Sequence, residues 1–258
     1  MPAISIVIPA YNEGQRIGAT LQRVLDYAAE QRWDAECVVV NDGSRDNTAA
    51  LVREAAARNP AVRLIENPGN RGKGYTVRNG MLNAAGDLLL FTDADLSSPI
   101  EEAPRLFAAL NSGADIAIGS RWLQRELQTL RQPWYRQIFG RAFNFFLRTV
   151  LGLSFKDTQC GFKAFKRGAA QAIFPRQLVE RWGFDPEVLF LARKLGLRTD
   201  EVAVRWAHDR RTKISFFRDG MRMVVEVLKV RMHDLAGRYD QPVPAVATPH
   251  VERVKTGQ

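Results

Sequence analysis

The sequence of 258 residues predicts an α/β fold, a single doubly wound sheet of mostly parallel strands flanked by helices. Three observations predict it. Short apolar runs of strand length occur at Ile4-Ser5-Ile6-Val7-Ile8, Cys37-Val38-Val39-Val40 and Leu88-Leu89-Leu90. Between them lie helical patterns, and strands alternating with helices imply parallel βαβ units. Each run also ends in polar residues: Tyr11-Asn12-Glu13, Asn41-Asp42-Gly43-Ser44 and Asp93-Ala94-Asp95. Ligands of open α/β sheets bind outside the carboxyl ends of the strands.

In chain order, a strand over 4–9 is expected to stop at Pro9, followed by a helix over 16–29 and a strand over 36–41. The turn after it suits Asp46 as a helix cap, because Ser and Asp are preferred there, and a helix follows over 48–58. A short strand over 62–66 leads into Asn67-Pro68-Gly69-Asn70-Arg71-Gly72-Lys73-Gly74, which opens a helix over 73–85. That loop is Gly-rich and basic but is not a Walker A loop, since Lys73 is followed by Gly74 rather than Ser or Thr. The loop opens a helix, and helix N-termini favour anions; the plain reading is a tight connection. A strand over 87–92, a helix over 99–111 and a strand over 115–119 complete the first half.

From about Gln124 the chain is expected to form a second half that returns to the sheet edge. The segment 134–148 mixes aromatics with arginines. If helical, it brings Ile138, Ala142, Phe145 and Phe146 near one face, which packs on the sheet or lies in a membrane interface. A second helix over 216–236 carries Met221, Val224, Val225, Leu228 and Met232 at helical spacing, with Arg218, Arg222, Lys229 and Arg231. That stripe suits the core, a membrane surface or a neighbouring subunit. After Gly237 the chain is rich in Pro, Ala and charge and reads as a disordered tail over 237–258. The expected organisation is one domain over 1–236, with halves 1–122 and 123–236.

Composition narrows the function classes. With 46% hydrophobic residues the chain can bury a full core. Two cysteines, Cys37 and Cys160, lie in unlike contexts and suggest neither zinc nor a disulfide scaffold, which fits a reducing compartment. No secretory signal pattern appears. The longest apolar stretch, 139–155, is interrupted by Arg141, Asn144 and Arg148, so no bilayer span is expected. A formal charge of +9 attracts nucleic acid, anionic membranes or phosphorylated substrates. No Cys/His finger, RNP aromatic signature or basic zipper is present, so nucleic acid is not expected as a partner.

The pair Asp93 and Asp95 has two readings: a solvated turn, or a hard-cation site, since Mg²⁺ takes oxygens from one or two carboxylates plus substrate phosphates. Company decides in favour of the metal. Val7-Ile8-Pro9-Ala10-Tyr11-Asn12-Glu13, Asn41-Asp42-Gly43-Ser44, Asn70-Arg71-Gly72-Lys73-Gly74, Asp93-Ala94-Asp95 and Gly119-Ser120-Arg121 follow in that order. The chain over 4–215 thereby resembles the family 2 glycosyltransferases of the GT-A fold, and among them the polyprenyl-phosphate sugar transferases. Asp157-Thr158-Gln159-Cys160-Gly161-Phe162-Lys163, Trp182-Gly183-Phe184-Asp185-Pro186-Glu187 and Trp206 resemble the dolichyl-phosphate β-glucosyltransferase branch.

The resemblance implies a nucleotide-sugar donor, UDP-glucose first and GDP-mannose second, and a lipid-phosphate acceptor. Pro9, Tyr11, Glu13, Asp42, Lys73, Asp93, Arg211 and Lys213 would contact the donor nucleotide. Asp93 and Asp95 would hold Mg²⁺ or Mn²⁺, and Arg121 and Arg136 would contact the acceptor phosphate. Asp157 would act as a base or orient the donor sugar. The relatives' usual Gly-Ser-Lys is Arg211-Thr212-Lys213 here, so Lys213 carries over better than Arg211. The acceptor implies peripheral membrane contact at the cytoplasmic face. A family 2 transferase extending a glycan or cell-wall polymer is the alternative.

Overall fold

The computed structural model describes residues 2–130, 134–207 and 216–241. The first half alternates as expected: β1 (Ile4–Ala10), α1 (Ile17–Glu30), β2 (Ala35–Asn41), α2 (Thr48–Arg58), β3 (Val62–Glu66), α3 (Lys73–Asn83), β4 (Leu88–Thr92), α4 (Ala103–Asn111) and β5 (Ile116–Ser120). The second half adds β6 (Gln128–Leu130), α5 (Trp134–Leu151), β7 (Phe162–Lys166), α6 (Arg167–Ile173), α7 (Phe184–Lys194), β8 (Thr199–Ala203), β9 (Trp206–Ala207) and α8 (Phe216–Leu235).

Seven strands form one sheet in the order β3-β2-β1-β4-β7-β5-β8, parallel except for β7. Strand residues alternate between two cores, as the two-residue period of a strand requires. Val7, Val38, Val40 and Phe91 face one core; Ile6, Ile8, Cys37, Val39 and Leu90 face the other. The first core is covered by α3, α5, α6, α7 and α8, the second by α1, α2 and α4. α1 shows why: Ile17, Leu21, Val24 and Ala28 recur on one helical face and are all buried.

Five expectations need correction. Pro9 does not stop β1, which continues with Pro9 opposite Val40 and Ala10 opposite Asn41. β1 pairs with β4 only as far as Val7 opposite Phe91, so Pro9 lies past the last β4 pair, where it removes no ladder donor on that side. The second half does not merely return to the edge: β7 enters antiparallel between β4 and β5, and only β8 takes the edge.

On α5 the packed face is Phe143, Phe146, Leu147, Val150 and Leu151, so Phe145 points away from Phe146 and is 70% exposed. On α8 the core takes Val227 and Val230, while Met221, Val225, Leu228, Met232 and Leu235 face outward. Finally, the fold continues beyond Gly237. Tyr239 is 2% exposed, packs on Phe190 and donates to Glu187 Oε1 at 2.7 Å. Residues 242–258 of the expected tail lie outside the described residues.

Candidate active site

The topology gathers the polar strand ends. Helices lead from β1 to β2 and from β2 to β3 on one side, whereas β4 lies on the other side of β1, so the strand order reverses between β1 and β4. That reversal opens a crevice at the strand C-termini. Tyr11, Asn12 and Glu13 leave β1 there, Asp42 leaves β2, and Asp93 and Asp95 leave β4. The first two loops are laced together. Ser44 Oγ accepts from Asn12 N–H at 2.9 Å, Asn12 Oδ1 from Arg45 N–H at 2.8 Å, and Thr48 Oγ1 from Glu13 N–H at 2.8 Å. Asn12 takes a left-handed φ of 53°, which Asn tolerates better than most residues. Asp46 satisfies the first N–H of α2, accepting from Thr48 N–H at 3.0 Å, and also accepts from Gly14 N–H at 3.0 Å.

Asp42 is buried and organises the Gly-rich loop. Its carboxylate accepts from Asn67 Nδ2 and Arg71 N–H, both at 2.9 Å, and from Gly72 N–H at 2.8 Å. The loop is pressed on the far side against residues 177–183. Tyr75 N–H donates to the Glu180 carbonyl at 2.9 Å and Gln177 Nε2 to the Gly74 carbonyl at 3.0 Å. Gly72 has φ 103°, and a Cβ there would sit 2.6 Å from the Glu180 carbonyl oxygen, so two requirements demand glycine.

The first turn of α3 then carries Lys73 to the acidic pair. Lys73 Nζ lies 2.6 Å from Asp93 Oδ1, between the rings of Phe91 and Trp182 at 5.4 and 5.3 Å. Burial works against its charge, but Asp93 together with Asp185 and Asp95 outweighs burial and raises the ammonium above its ordinary range. Asp95 Oδ1 accepts from Ser97 N–H at 2.9 Å, and its other oxygen lies 4.0 Å from Arg16 Nη1, which also pairs through Nε with Glu13 at 2.6 Å. Burial and the neighbouring Asp93 charge push the Asp95 carboxyl up. Gly161 closes the other side of Asp93, where a Cβ would meet Asp93 Oδ2 at 2.0 Å.

Two buried ion pairs stand behind the crevice. Arg121, just past β5, donates Nε to Asp157 Oδ2 at 2.7 Å, Nη2 to Oδ1 at 2.8 Å and its N–H to Oδ2 at 3.0 Å. Burial opposes ionisation of Asp157, which is 2% exposed, yet Arg121 outweighs it and holds the carboxyl below the usual range. Glu201 on β8 accepts from Lys156 and Asp157 N–H at 2.9 and 2.7 Å, fixing that segment. Lys163 on β7 is buried, donates to the Cys160 carbonyl and pairs with Asp185 in the first turn of α7. Cys37 and Cys160 are free, buried thiols pushed up by desolvation to about 12 and about 11.

The model of the glycosyl transferase family 2 domain matches residues 5–174. The chain belongs to this family. Its match to a dolichyl-phosphate beta-glucosyltransferase of Trichomonas vaginalis is 38% identical and covers 90% of this chain and 72% of that protein. Those to the enzymes so named from Drosophila melanogaster and Saccharomyces cerevisiae are 36% and 34% identical, each covering 92% of this chain and 76% of the relative. Among solved structures, glucosyl-3-phosphoglycerate synthase of Mycobacterium tuberculosis with Mn²⁺ and UDP-glucose shares the fold. Its TM-score is 0.64 at 20% identity, over 89% of this chain and 79% of that one. Mannosyl-3-phosphoglycerate synthase of Rubrobacter xylanophilus does so at a TM-score of 0.65 and 18% identity, over 95% and 78%.

In this family 2 glycosyltransferase of GT-A fold, the expected donor-side residues Pro9, Tyr11, Glu13, Asp42, Lys73, Asp93 and Asp95 all lie at one end of the sheet. The Arg136 side chain, Arg211 and Lys213 lie outside the described residues. Asp157 as a general base needs correction: a carboxylate bound bidentately by a guanidinium and held below its usual range is a poor proton acceptor. For the same reason Arg121, expected at the acceptor phosphate, already has its fork on Asp157. Sequence reasoning missed Arg16, Trp182, and Lys163 with Asp185. Lys163, Trp182 and Asp185 stand in segments the resemblance singled out, so motif membership was their only signal.

Proposed function

We propose that this glycosyltransferase moves glucose from UDP-glucose to a polyprenyl or dolichyl phosphate, inverting the anomeric centre. The observation that carries the proposal is the convergence of Asp42, Lys73, Asp93 and Asp95 on one crevice at the switch point of the sheet. The names of relatives at 30–38% identity support the sugar and the lipid acceptor.

The residues present fit a divalent cation, Mg²⁺ or Mn²⁺. Two carboxylates lie one residue apart, and burial beside Asp93 disfavours ionised Asp95, as expected where a cation completes the charge balance. Mg²⁺ is commonly held by one or two carboxylates together with substrate phosphates. Asp93 and Asp95 would hold it, and a bound cation offsets charge on the departing diphosphate.

The chain's own residues do the rest. Asp42 shapes the Gly-rich loop against the nucleoside, with Pro9, Tyr11 and Glu13 lining the β1 side. Lys73 places a second cation at the acidic pair. Arg211 and Lys213 are assigned from sequence to the diphosphate, and Arg136 to the acceptor phosphate. A phosphate monoester is largely ionised at neutral pH, its second pKa lying near ~6 by analogy with phosphoserine, so attack on the sugar C1 needs no strong base. Asp157 therefore serves by holding the Arg121 guanidinium in one orientation. No described helix is long and apolar enough to cross a membrane. We assign the outward stripe of α8 to peripheral membrane contact.

The test is a donor and product panel. UDP-glucose, GDP-mannose and UDP-N-acetylglucosamine are offered with a short polyprenyl phosphate, and the anomeric linkage of the product is read by NMR. A β-linked glucosyl product from UDP-glucose is expected. A mannosyl product alone would overturn the sugar, and transfer only to soluble glycans would overturn the acceptor.

A further inference from the structure

The segment 177–183, which presses on the Gly-rich loop, is itself held from behind by one carboxyl group. Glu187, in the first turn of α7, is fully buried. Its Oε1 accepts from Leu178 N–H at 2.9 Å and from Tyr239 Oη at 2.7 Å, and its Oε2 accepts from Val179 N–H at 2.9 Å. The Val179 carbonyl then takes Gln177 Nε2 at 2.8 Å, and the same amide reaches the Gly74 carbonyl at 3.0 Å. One residue on, the Glu180 carbonyl accepts from Tyr75 N–H at 2.9 Å, and the Glu180 carboxylate pairs with Arg71 at 3.0 Å. Gly74 is as confined as Gly72, since a Cβ on it would sit 2.5 Å from the Val179 carbonyl oxygen. Lys73 lies between these two glycines, and the Arg71 and Gly72 N–H groups are donors to Asp42.

Tyr239 reaches Glu187 from 52 residues further along the chain. After α8, Gly237 takes a left-handed φ of 66° and its N–H donates to the Asp234 carbonyl at 2.9 Å, which turns the chain back. The Tyr239 ring packs on Phe190 and His233 at 6.0 and 6.1 Å. Lys194, at the end of α7, pairs with Asp234 and Asp240 at 2.6 and 2.9 Å, one on either side of the turn. The hydroxyl is thereby delivered to Glu187 in one orientation. Buried polar groups that lose a partner have no water to replace it, so each bond in this chain constrains the next.

We propose that Tyr239 and Glu187 are positioning residues for the donor: they brace the backbone of 178–180 against the Gly-rich loop, and so fix Lys73 and the two N–H groups on Asp42 at the nucleotide end of the crevice. The proposal rests on the transferase reading above for the nucleotide, but the brace is read from the hydrogen bonds alone.

The test uses the full chain. Amide hydrogen exchange of the 71–75 loop is measured without ligand, UDP binding by calorimetry with Mn²⁺, and KM for UDP-glucose and for a short isoprenyl phosphate. Tyr239→Phe keeps the ring on Phe190 and removes only the hydroxyl. It is expected to speed exchange at Arg71, Gly72 and Tyr75 and to weaken UDP by about threefold to tenfold, as loss of one buried hydrogen bond does. The KM for UDP-glucose should rise alike, with the acceptor KM unchanged. Glu187→Gln is expected to give the same split, and Tyr239→Phe to add little to it, since both break one chain of contacts. Leu110→Ala, on α4 in the opposite core, lowers stability without touching the brace and is expected to keep the wild-type UDP affinity. Faster loop exchange in the brace variants of a protein that binds no UDP and transfers no sugar would uphold the brace and overturn the transferase reading. Loop exchange or UDP affinity unchanged in both brace variants would overturn the proposal, as would an equal loss of UDP affinity in Leu110→Ala.

Discussion

At Asp157 the pairing with Arg121 decides what the carboxylate can do, because a base must exchange its proton near working pH and this one is held ionised well below it. Asp157→Asn is therefore expected to act mainly on stability. Removing one partner of a buried, bidentate pair costs about 3 kcal/mol or more, read as a fall in the urea midpoint. The linkage has a definite sign. The folded carboxyl titrates below the unfolded one, so its contribution is present above about pH 4 and is lost as pH falls through the folded value; the Asn variant lacks that acid limb. Gly161→Ala acts differently. Its Cβ would meet Asp93 Oδ2 at 2.0 Å, and a displacement of about 1 Å at a reacting site costs on the order of 100-fold in rate. Transfer kinetics beside a thermal melt separate that loss from unfolding. At this scale Asp42, Asp93 and Asp95 were legible because each follows an apolar run directly. Arg16 beside Asp95, Trp182 beside Lys73 and Lys163 on Asp185 were not, since each meets its partner only after the chain has folded.

Helices and strands were legible where their pattern was local. The alternation up to β5 follows from apolar periodicity and polar punctuation. β7 was not legible, because five residues after Gly161 carry no period that distinguishes a central antiparallel strand from a loop. For α8 the sequence marks an apolar stripe but not which helical face the core takes, and Val227 with Val230 takes it instead. Replacing Met221, Val225 and Leu228 together by Ser is thus expected to leave stability within about 0.5 kcal/mol per site, as surface changes do, while reducing sedimentation with anionic vesicles. A second element-scale expectation concerns the latch between α7 and the segment after α8. Glu187 accepts from Leu178 and Val179 N–H at 2.9 Å and from Tyr239 Oη, yet burial pushes its carboxyl up to about 7. The folded state therefore binds this proton more tightly than the unfolded chain. Its stabilising contribution is full below about pH 4 and is lost as pH rises through about 7. Unfolding free energies between those values should show that downward trend in the wild type and lose it in Glu187→Gln.

Across the whole molecule, the order of strands was only partly legible, but the use of the sheet was. Parallel βαβ units place strand C-termini on one edge, the reversal between β1 and β4 opens a crevice there, and the chain puts its carboxylates at that point. The region behind the crevice is the converse: it is assembled from β5, α5, β7 and β8, distant in sequence, so its ion pairs emerged only from the fold. The proposed activity is transfer of glucose in the crevice with the aid of Asp93 and Asp95. Transfer of radiolabelled glucose from UDP-glucose to a polyprenyl phosphate, with Mg²⁺ or Mn²⁺, tests it in wild type and in Asp95→Ala. Label is expected to enter the organic phase only with metal, at a rate at least ~100-fold lower in the variant while its fold is retained. Label entering the organic phase equally well in Asp95→Ala, or none from any nucleotide sugar in the wild type, would contradict it.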